Sequence, residues 1–236
     1  EKMWTDFHLH ILPGIDDGSK DVETSLQMLG TLKQQQVDSV FATPHFLLHQ
    51  HSVSDFSLAR AAAWQALIGD SRYEGLPKVL LGAENAIEPG LSQQDCKPLC
   101  YEGLSAILLE LPRQNYKNWM REEIENIRYS FSVTPVLAHL ERYLWYEDAS
   151  IRQLLQIPGV IVQVNARAFS RHESLRFLQE LYESGCSVLV GSDAHNCGSR
   201  PPDFNLLQNT LRKFRYRKWS TWLQKSQEQF LQIQSN

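Results

Sequence analysis

The sequence predicts an α/β fold, a closed barrel of seven parallel strands alternating with helices. Three observations carry that expectation. Short apolar runs alternate with helix-periodic segments along the chain. Nine potential metal ligands lie along it: His8, His10, Asp17, His45, Glu84, Glu110, His139, Asp193 and His195. Nearly every one ends or closely follows an apolar run, at residues 4–7, 39–42, 79–82, 106–109, 136–138 and 188–191. A barrel delivers the C-terminal ends of all its strands to one face. An open doubly wound sheet concentrates its site at a switch point instead. Ligands drawn from six of the seven strands therefore favour closure.

The elements follow in order. After the first strand, Asp21 can cap a helix whose Val22, Leu26 and Leu29 share a face. Residues 38–43 form a second strand, stopped by Pro44. Residues 56–68 are Ala-rich and helical. Residues 78–83 and 105–111 are the third and fourth strands. Residues 119–129 read as a helix with Glu122, Glu123 and Glu125 outward. Residues 134–138 are the fifth strand, 148–156 a helix before Pro158, and 160–164 the sixth strand. Residues 175–182 form a helix ended by Gly185, and 187–191 the seventh strand. Beyond Pro202 the chain is expected helical, with Leu207, Leu211 and Phe214 in step and a Gln-rich, solvated tail.

At 236 residues the length suits one α/β barrel, expected to span residues 1–236 as a single domain. A net charge of -4 gives no general attraction for nucleic acid. No apolar run is long enough to span a bilayer and no signal peptide is visible. The expectation is a cytoplasmic protein without membrane insertion. Cys96, Cys100, Cys186 and Cys197 form no CxxC pair and are expected as reduced, mostly buried thiols.

His8-Leu9-His10 is an HxH pair at a strand end, where alternation puts both imidazoles on one side. Such a pair suits a transition metal, although core packing also produces it. Asp6, two residues earlier, is placed to support the ligands. Asp193-Ala194-His195 is a second alternating pair, whose bland reading is a cap or turn. In a closed barrel the two pairs would be neighbours. Glu84 and Glu110 follow apolar strands, where an unpaired carboxylate is costly; a bridge between two metals would resolve that cost. Asp16-Asp17-Gly18 reads first as a turn, and His45 after Pro44 can also cap a helix. His49, His51 and His172 fall in expected loops. Arg142 and Arg200 each follow a ligand motif and suit forked contacts with phosphate, or else surface ion pairs.

The set Phe7-His8-Leu9-His10, Gly82-Ala83-Glu84, Ala138-His139 and Ser192-Asp193-Ala194-His195 resembles the PHP (polymerase and histidinol phosphatase) superfamily. The match narrows with the segment from Leu12 to Gly18, His139-Leu140-Glu141-Arg142-Tyr143 and Arg200-Pro201-Pro202. Together they resemble the bacterial metal-dependent protein-tyrosine phosphatases encoded with capsule and exopolysaccharide genes. The resemblance implies a distorted (β/α)7 TIM-like barrel holding three divalent metals, often manganese, with iron, cobalt and zinc as alternatives. By it, one metal takes His8, His10, Glu84 and Asp193. A second shares Glu84 and adds Glu110 and His139. A third takes Asp17, His45 and His195. Arg142 and Arg200 correspond to phosphate-contacting residues, and Gln163 with Asn165 fits a Gln-x-Asn element without a metal role. Segment 166–176 and the C-terminus depart from the family pattern.

The implied reaction is hydrolysis of phosphotyrosine by a metal-activated hydroxide. The implied partner is the tyrosine-rich tail of a membrane-associated bacterial tyrosine kinase that regulates polysaccharide synthesis. Arg113, Tyr116, Lys117 and Trp119 are suited to the rim that meets it. A small-molecule phosphatase acting on histidinol phosphate and a non-catalytic metal-binding domain are the rivals. Cysteine-based chemistry is excluded, because no cysteine is followed by Arg six positions later.

Overall fold

The computed structural model describes residues 3–145 and 149–233. Its nine strands are β1 (Trp4–Leu9), β2 (Val37–Ala42), β3 (His45–Phe46), β4 (Lys78–Leu81), β5 (Glu84–Ala86), β6 (Ala106–Glu110), β7 (Thr134–Leu137), β8 (Ile161–Asn165) and β9 (Val188–Gly191). Six helices cover them: α1 (Val22–Gln34), α2 (Val53–Ile68), α3 (Asn118–Phe131), α4 (His172–Glu183), α5 (Phe204–Leu211) and α6 (Arg217–Phe230). All strand pairs are parallel, in the orders β1-β2-β4 and β3-β5-β6-β7-β8-β9.

The two sheets are one barrel wall with a step. Pro44 has no N–H, so the ladder of β2 stops and resumes as β3. Beside it the wall breaks at Gly82-Ala83, between β4 and β5. Gly82 N donates to Ala42 O at 2.8 Å and Glu84 N to Pro44 O at 3.0 Å, carrying the pairing across the step. The Gly82 carbonyl released by the break accepts from Arg60 Nη1 of α2 at 2.6 Å. The expected third strand, 78–83, therefore ends at Leu81, and a separate short strand, β5, follows the break.

Closure is made at one end of the seam. Leu9 bridges Ala194, His10 N donates to Ala194 O at 3.0 Å, and Asp193 N to His8 O at 2.7 Å. Lower down, α6 takes over the strand edges. Thr5 N donates to Gln227 Oε1 at 2.9 Å and Val188 N to Ser226 Oγ at 3.2 Å. These side chains satisfy edge amides that a fully closed barrel would pair. The result is a distorted seven-stranded barrel, as expected. The tail is less solvated than expected, since Gln224 is buried and Gln227 holds β1.

Alternation sorts the side chains. Phe7, Phe41, Ala106, Leu108, Val136, Ala138, Ile161 and Leu189 fill the interior, and Phe230 of α6 joins them. Ile107, Leu109, Leu137, Val162, Val164, Val188 and Val190 face the helices. The same parity carries Glu110, Gln163 and Asn165 inward, two or four residues beyond inner apolar positions.

Several helical expectations change. Asp21 does cap α1, accepting from Thr24 N at 2.8 Å. Segment 149–156 is 3-10 helix; Asp148 lies outside the described residues. Glu123 is half-buried rather than fully outward, and accepts from Gly90 N and Ser92 N, both at 2.9 Å. The C-terminal stretch breaks after Leu211, so Phe214 loses the period it shared with Leu207 and is 92% exposed. His172 begins α4 rather than lying in a loop. Cys96 is buried, Cys100 and Cys186 half-buried, and Cys197 exposed.

Candidate metal centre

All nine proposed ligands meet at the C-terminal end of the barrel. His8 belongs to β1 and His10 follows it; His45 opens β3, Glu84 opens β5 and Glu110 ends β6. His45 and Glu84 stand opposite each other in register. His139 and Asp193 each lie two residues beyond a strand, with left-handed backbone at φ 31° and 52°. Non-glycine residues hold that conformation only where their surroundings impose it. Here the amide of His139 donates to Gln163 Oε1 at 2.7 Å, and that of Asp193 to the His8 carbonyl.

Two glycines make the convergence possible. A Cβ on Gly191 would stand 2.5 Å from His8 Cβ, and one on Gly18 would stand 2.4 Å from His10 Cβ. Any larger residue would push β9 off β1, or the 16–18 turn off His10.

Glu84 is the hub. Its Oε2 lies 3.1 Å from His8 Nε2, His10 Nε2 and His45 Nδ1, yet makes no hydrogen bond of good geometry. Its Oε1 meets His139 Nε2 at 2.8 Å. Burial opposes ionisation of Glu84, but the imidazoles of His8, His10 and His139 hold its carboxyl well below the ordinary value. Donors at about 2.1 Å on one cation stand roughly 3 Å apart across a right angle. The spacing and the missing hydrogen bonds fit donors that share a cation rather than one another. His139 Nδ1 and His195 Nε2 are likewise buried without hydrogen bonds.

Three sets of donor atoms lie within 4.8 Å of one another: His8, His10 and Glu84; His45, Glu84 and Glu110; and His10, Asp17, His45 and His195. His139 adjoins the second set, 3.5 Å from Glu110 Oε1. Asp193 Oδ1 adjoins the first, 3.5 Å from His10 Nε2 and 3.8 Å from His8 Nε2. Asp17 is the exposed member of the third, with Oδ1 3.3 Å from His195 Nε2 and 3.4 Å from His45 Nε2. His10 and His45 thus each stand between two sets, which the sequence grouping did not anticipate.

A second layer fixes the rings. Asp16 Oδ2 accepts from His10 Nδ1 at 2.7 Å and from His45 N at 3.0 Å. Burial pushes the Asp16 carboxyl up, but the contact with His10 prevails and holds it at about 2. Gln163 Oε1 meets His8 Nδ1 at 2.9 Å. Gln163 Nε2 donates to Asn165 Oδ1, and Asn165 Nδ2 to Asp193 Oδ2 at 3.0 Å. Glu141, also buried, accepts from Asn165 N at 3.1 Å. Asp6, expected beside the imidazoles, instead accepts from the amides of His8 and Ser192 and from Ser192 Oγ. Burial raises it to about 7. Asp16 and Glu141 were not singled out in the sequence. The Asp16-Asp17 pair carried the signal, hidden by its reading as a turn.

Arg142 and Arg200 stand half-exposed at the mouth. Arg142 Nη2 binds Asp193 Oδ2, and Arg200 Nη2 donates to Asp193 Oδ1 at 2.9 Å. Arg200 Nη1 lies 3.7 Å from Asp17 Oδ2. On the other side a groove of about 670 Å³ opens from Asp17, His45 and Glu110. Ile15, Leu47, Ile87 and Leu111 supply apolar wall, and Arg113 stands on its rim. Tyr116 and Trp119 pack on the core instead, and Lys117 is exposed before α3.

Fold and site together define a PHP-like barrel with a multi-donor metal face. The family model for capsular polysaccharide synthesis, CpsB/CapC, matches residues 4–226. The chain belongs to the CpsB/CapC family. It is 29% identical over 204 residues to tyrosine-protein phosphatase YwqE of Bacillus subtilis (strain 168), covering 83% of this chain and 78% of that protein. It is 26% identical over 212 residues to tyrosine-protein phosphatase CpsB of Streptococcus pneumoniae, covering 84% and 85%. A solved structure from work on YwqE and CpsB, described as unique metal-dependent tyrosine phosphatases, shares the fold. Its TM-score is 0.77 at 24% identity, over 98% of this chain and 95% of that one.

Proposed function

We propose that this chain is a metal-dependent protein-tyrosine phosphatase, acting in the cytoplasm on the phosphotyrosine tail of a bacterial tyrosine kinase that regulates capsule or exopolysaccharide synthesis. The carrying observation is the arrangement of three features on one face. Clustered imidazoles and carboxylates form its floor, two guanidiniums stand at one edge, and an apolar groove opens at the other. Family membership and the names of the relatives support the same reading.

His8, His10, Asp17, His45, Glu84, Glu110, His139, Asp193 and His195 would hold three divalent cations; the family resemblance implies manganese, and imidazole with carboxylate donors suits iron, cobalt or zinc as well. Bound there, they would supply Lewis acidity and a water acidic enough to ionise near neutral pH. The rest is the work of the chain. Asp16 and Gln163 hold the rings of His10 and His8, so the donor geometry is set before substrate arrives. Arg142 and Arg200 offer forked donors to the phosphoryl oxygens. Leu47 and Ile87 give the aryl ring an apolar wall beside His45 and Glu110. A phenolate leaving group, with an ordinary pKa of about 10, departs with little help from a general acid. Aryl phosphates are therefore the easier substrates on chemical grounds.

The test is a substrate panel on chelated and reloaded protein. A phosphotyrosine tail peptide should be hydrolysed much faster than a phosphoserine peptide or histidinol phosphate. Activity should vanish on chelation and return with manganese. Full activity after metal stripping would reject the mechanism, and preference for histidinol phosphate would reject the substrate.

A further inference from the structure

Between α5 and the first turn of α6 the chain reads Arg212-Lys213-Phe214-Arg215-Tyr216-Arg217-Lys218, five cations without an acid in a protein of net charge -4. All five cations are exposed, and among the described residues none is in an ion pair. Phe214 projects from the middle of the run, 92% exposed. Across a small groove stands Arg176 of α4, also exposed, sharing the lining with Arg215 and Tyr216. The acid in that groove, Glu180, is bound to Arg152.

Folding alone gives no reason for the arrangement. Arg217 and Lys218 are the first two residues of α6, where the positive helix end disfavours cations, and Tyr216 supplies no side-chain cap. A fully exposed phenyl among charges gains nothing from the core. From these observations we infer that residues 212–218 dock the protein on an anionic membrane surface. The cations meet the headgroups and Phe214 enters the interface between headgroups and acyl chains. A nucleic-acid duplex or a uniformly acidic protein face would neutralise the cations and leave the phenyl in water. A second copy meeting this patch symmetrically would set five cations against five. The proposed contact is with the membrane surface; no described helix is long and apolar enough to cross a bilayer. It goes beyond the phosphatase reading and does not depend on it.

The experiment is co-sedimentation of the full chain with vesicles of pure phosphatidylcholine or of equimolar phosphatidylcholine and phosphatidylglycerol. Binding is expected only to the anionic vesicles and should be lost as salt is raised. Each basic residue near such a surface strengthens binding about fivefold, so Lys213→Gln with Arg217→Gln should weaken it roughly 25-fold. Phe214→Ala should weaken it about tenfold with the charge unchanged. Hydrolysis of a soluble aryl phosphate should stay the same in every variant. Absent binding to anionic vesicles, equal binding to neutral ones, or variants that bind like the parent would each overturn the inference. So would capture of a single-stranded oligonucleotide or polyglutamate in place of vesicles.

Discussion

The floor and the rim of the metal face are built differently. His8, His10, Glu84 and His139 are almost wholly buried and come from, or directly follow, β-strands. Each is tied to another buried polar group: His8 to Gln163, His10 to Asp16, His139 to Glu84. Asp17 and Arg200 lie on loops and Arg142 in the 3-10 helix Leu140–Trp145; all three are exposed or half-exposed, and they touch one another mainly through Asp193. A rigid floor fixes the positions of bound cations. A looser rim admits a phosphoryl group and can exchange its partners as charge develops.

The largest effect that separates the two is expected at the hub. Glu84→Ala removes the carboxylate on which three imidazoles converge at 3.1 Å. Turnover should fall roughly 10³-fold or more, a loss at least as large as that of a single transition-state donor. Metal content should drop with it. Thermal unfolding should remain cooperative, because the apolar interior from Phe7 to Phe230 does not include Glu84. Normal metal occupancy in this variant would break the distinction between floor and rim.

Next come the guanidiniums. Arg142→Ala and Arg200→Ala should each cost about 3 kcal/mol in kcat/KM toward an aryl phosphate. Each also removes one cationic partner of Asp193, whose Oδ2 keeps its bond from Asn165, so metal affinity is expected to shift slightly rather than stay fixed. Equilibrium dialysis against manganese reads that shift. Collapse of metal content, as large as in Glu84→Ala, would assign the arginines to the floor.

The comparison also explains what the sequence made legible. Strand alternation made part of the floor legible, since it puts His8 and His10 on one side of the chain. The HxH and DxH pairs could be joined because closure makes the first and last strands neighbours, as the Leu9–Ala194 bridge does. The step at Pro44 and Gly82 was half visible, since proline stops a ladder, but its completion needs Arg60, on the helix between them, to turn back onto the Gly82 carbonyl. Asp16 was hidden because a carboxylate in an Asp-Asp-Gly turn caps its own loop, accepting from Gly18 N, while also bonding His10. Nothing local distinguishes those two uses. The end of α5 was missed because Phe214 keeps the helical spacing of Leu207 and Leu211 without the packing that gives the spacing meaning.

A smaller, sharper test lies in that second layer. Asp16→Asn keeps shape and the bond to the His45 amide but removes the charge that fixes the His10 ring. Loss of such a supporting group typically costs 10- to 100-fold in metal affinity or activity. Asp16→Asn should therefore be rescued largely by excess manganese, which Arg142→Ala should not be. A variant insensitive to added metal would place Asp16 in loop structure alone.

The smallest effect is expected four residues from a proposed ligand. His49 lies on the same groove as His45, and its Nδ1 is 2.9 Å from Glu88 Oε1. Both partners are accessible to water, His49 at 61% and Glu88 at 23%, and exposed pairs of this kind contribute about 0–1 kcal/mol. His49→Ala should accordingly leave metal content unchanged and alter KM for a phosphotyrosine peptide by no more than about fivefold. His45→Ala, removing a donor from two of the three sets, should lose metal and activity together. The pair isolates position from residue type: both are histidines on one groove, and one alone faces Glu84. If His49→Ala lost metal as His45→Ala does, the metal face would extend along the groove, and the boundary drawn between floor and rim would be in the wrong place.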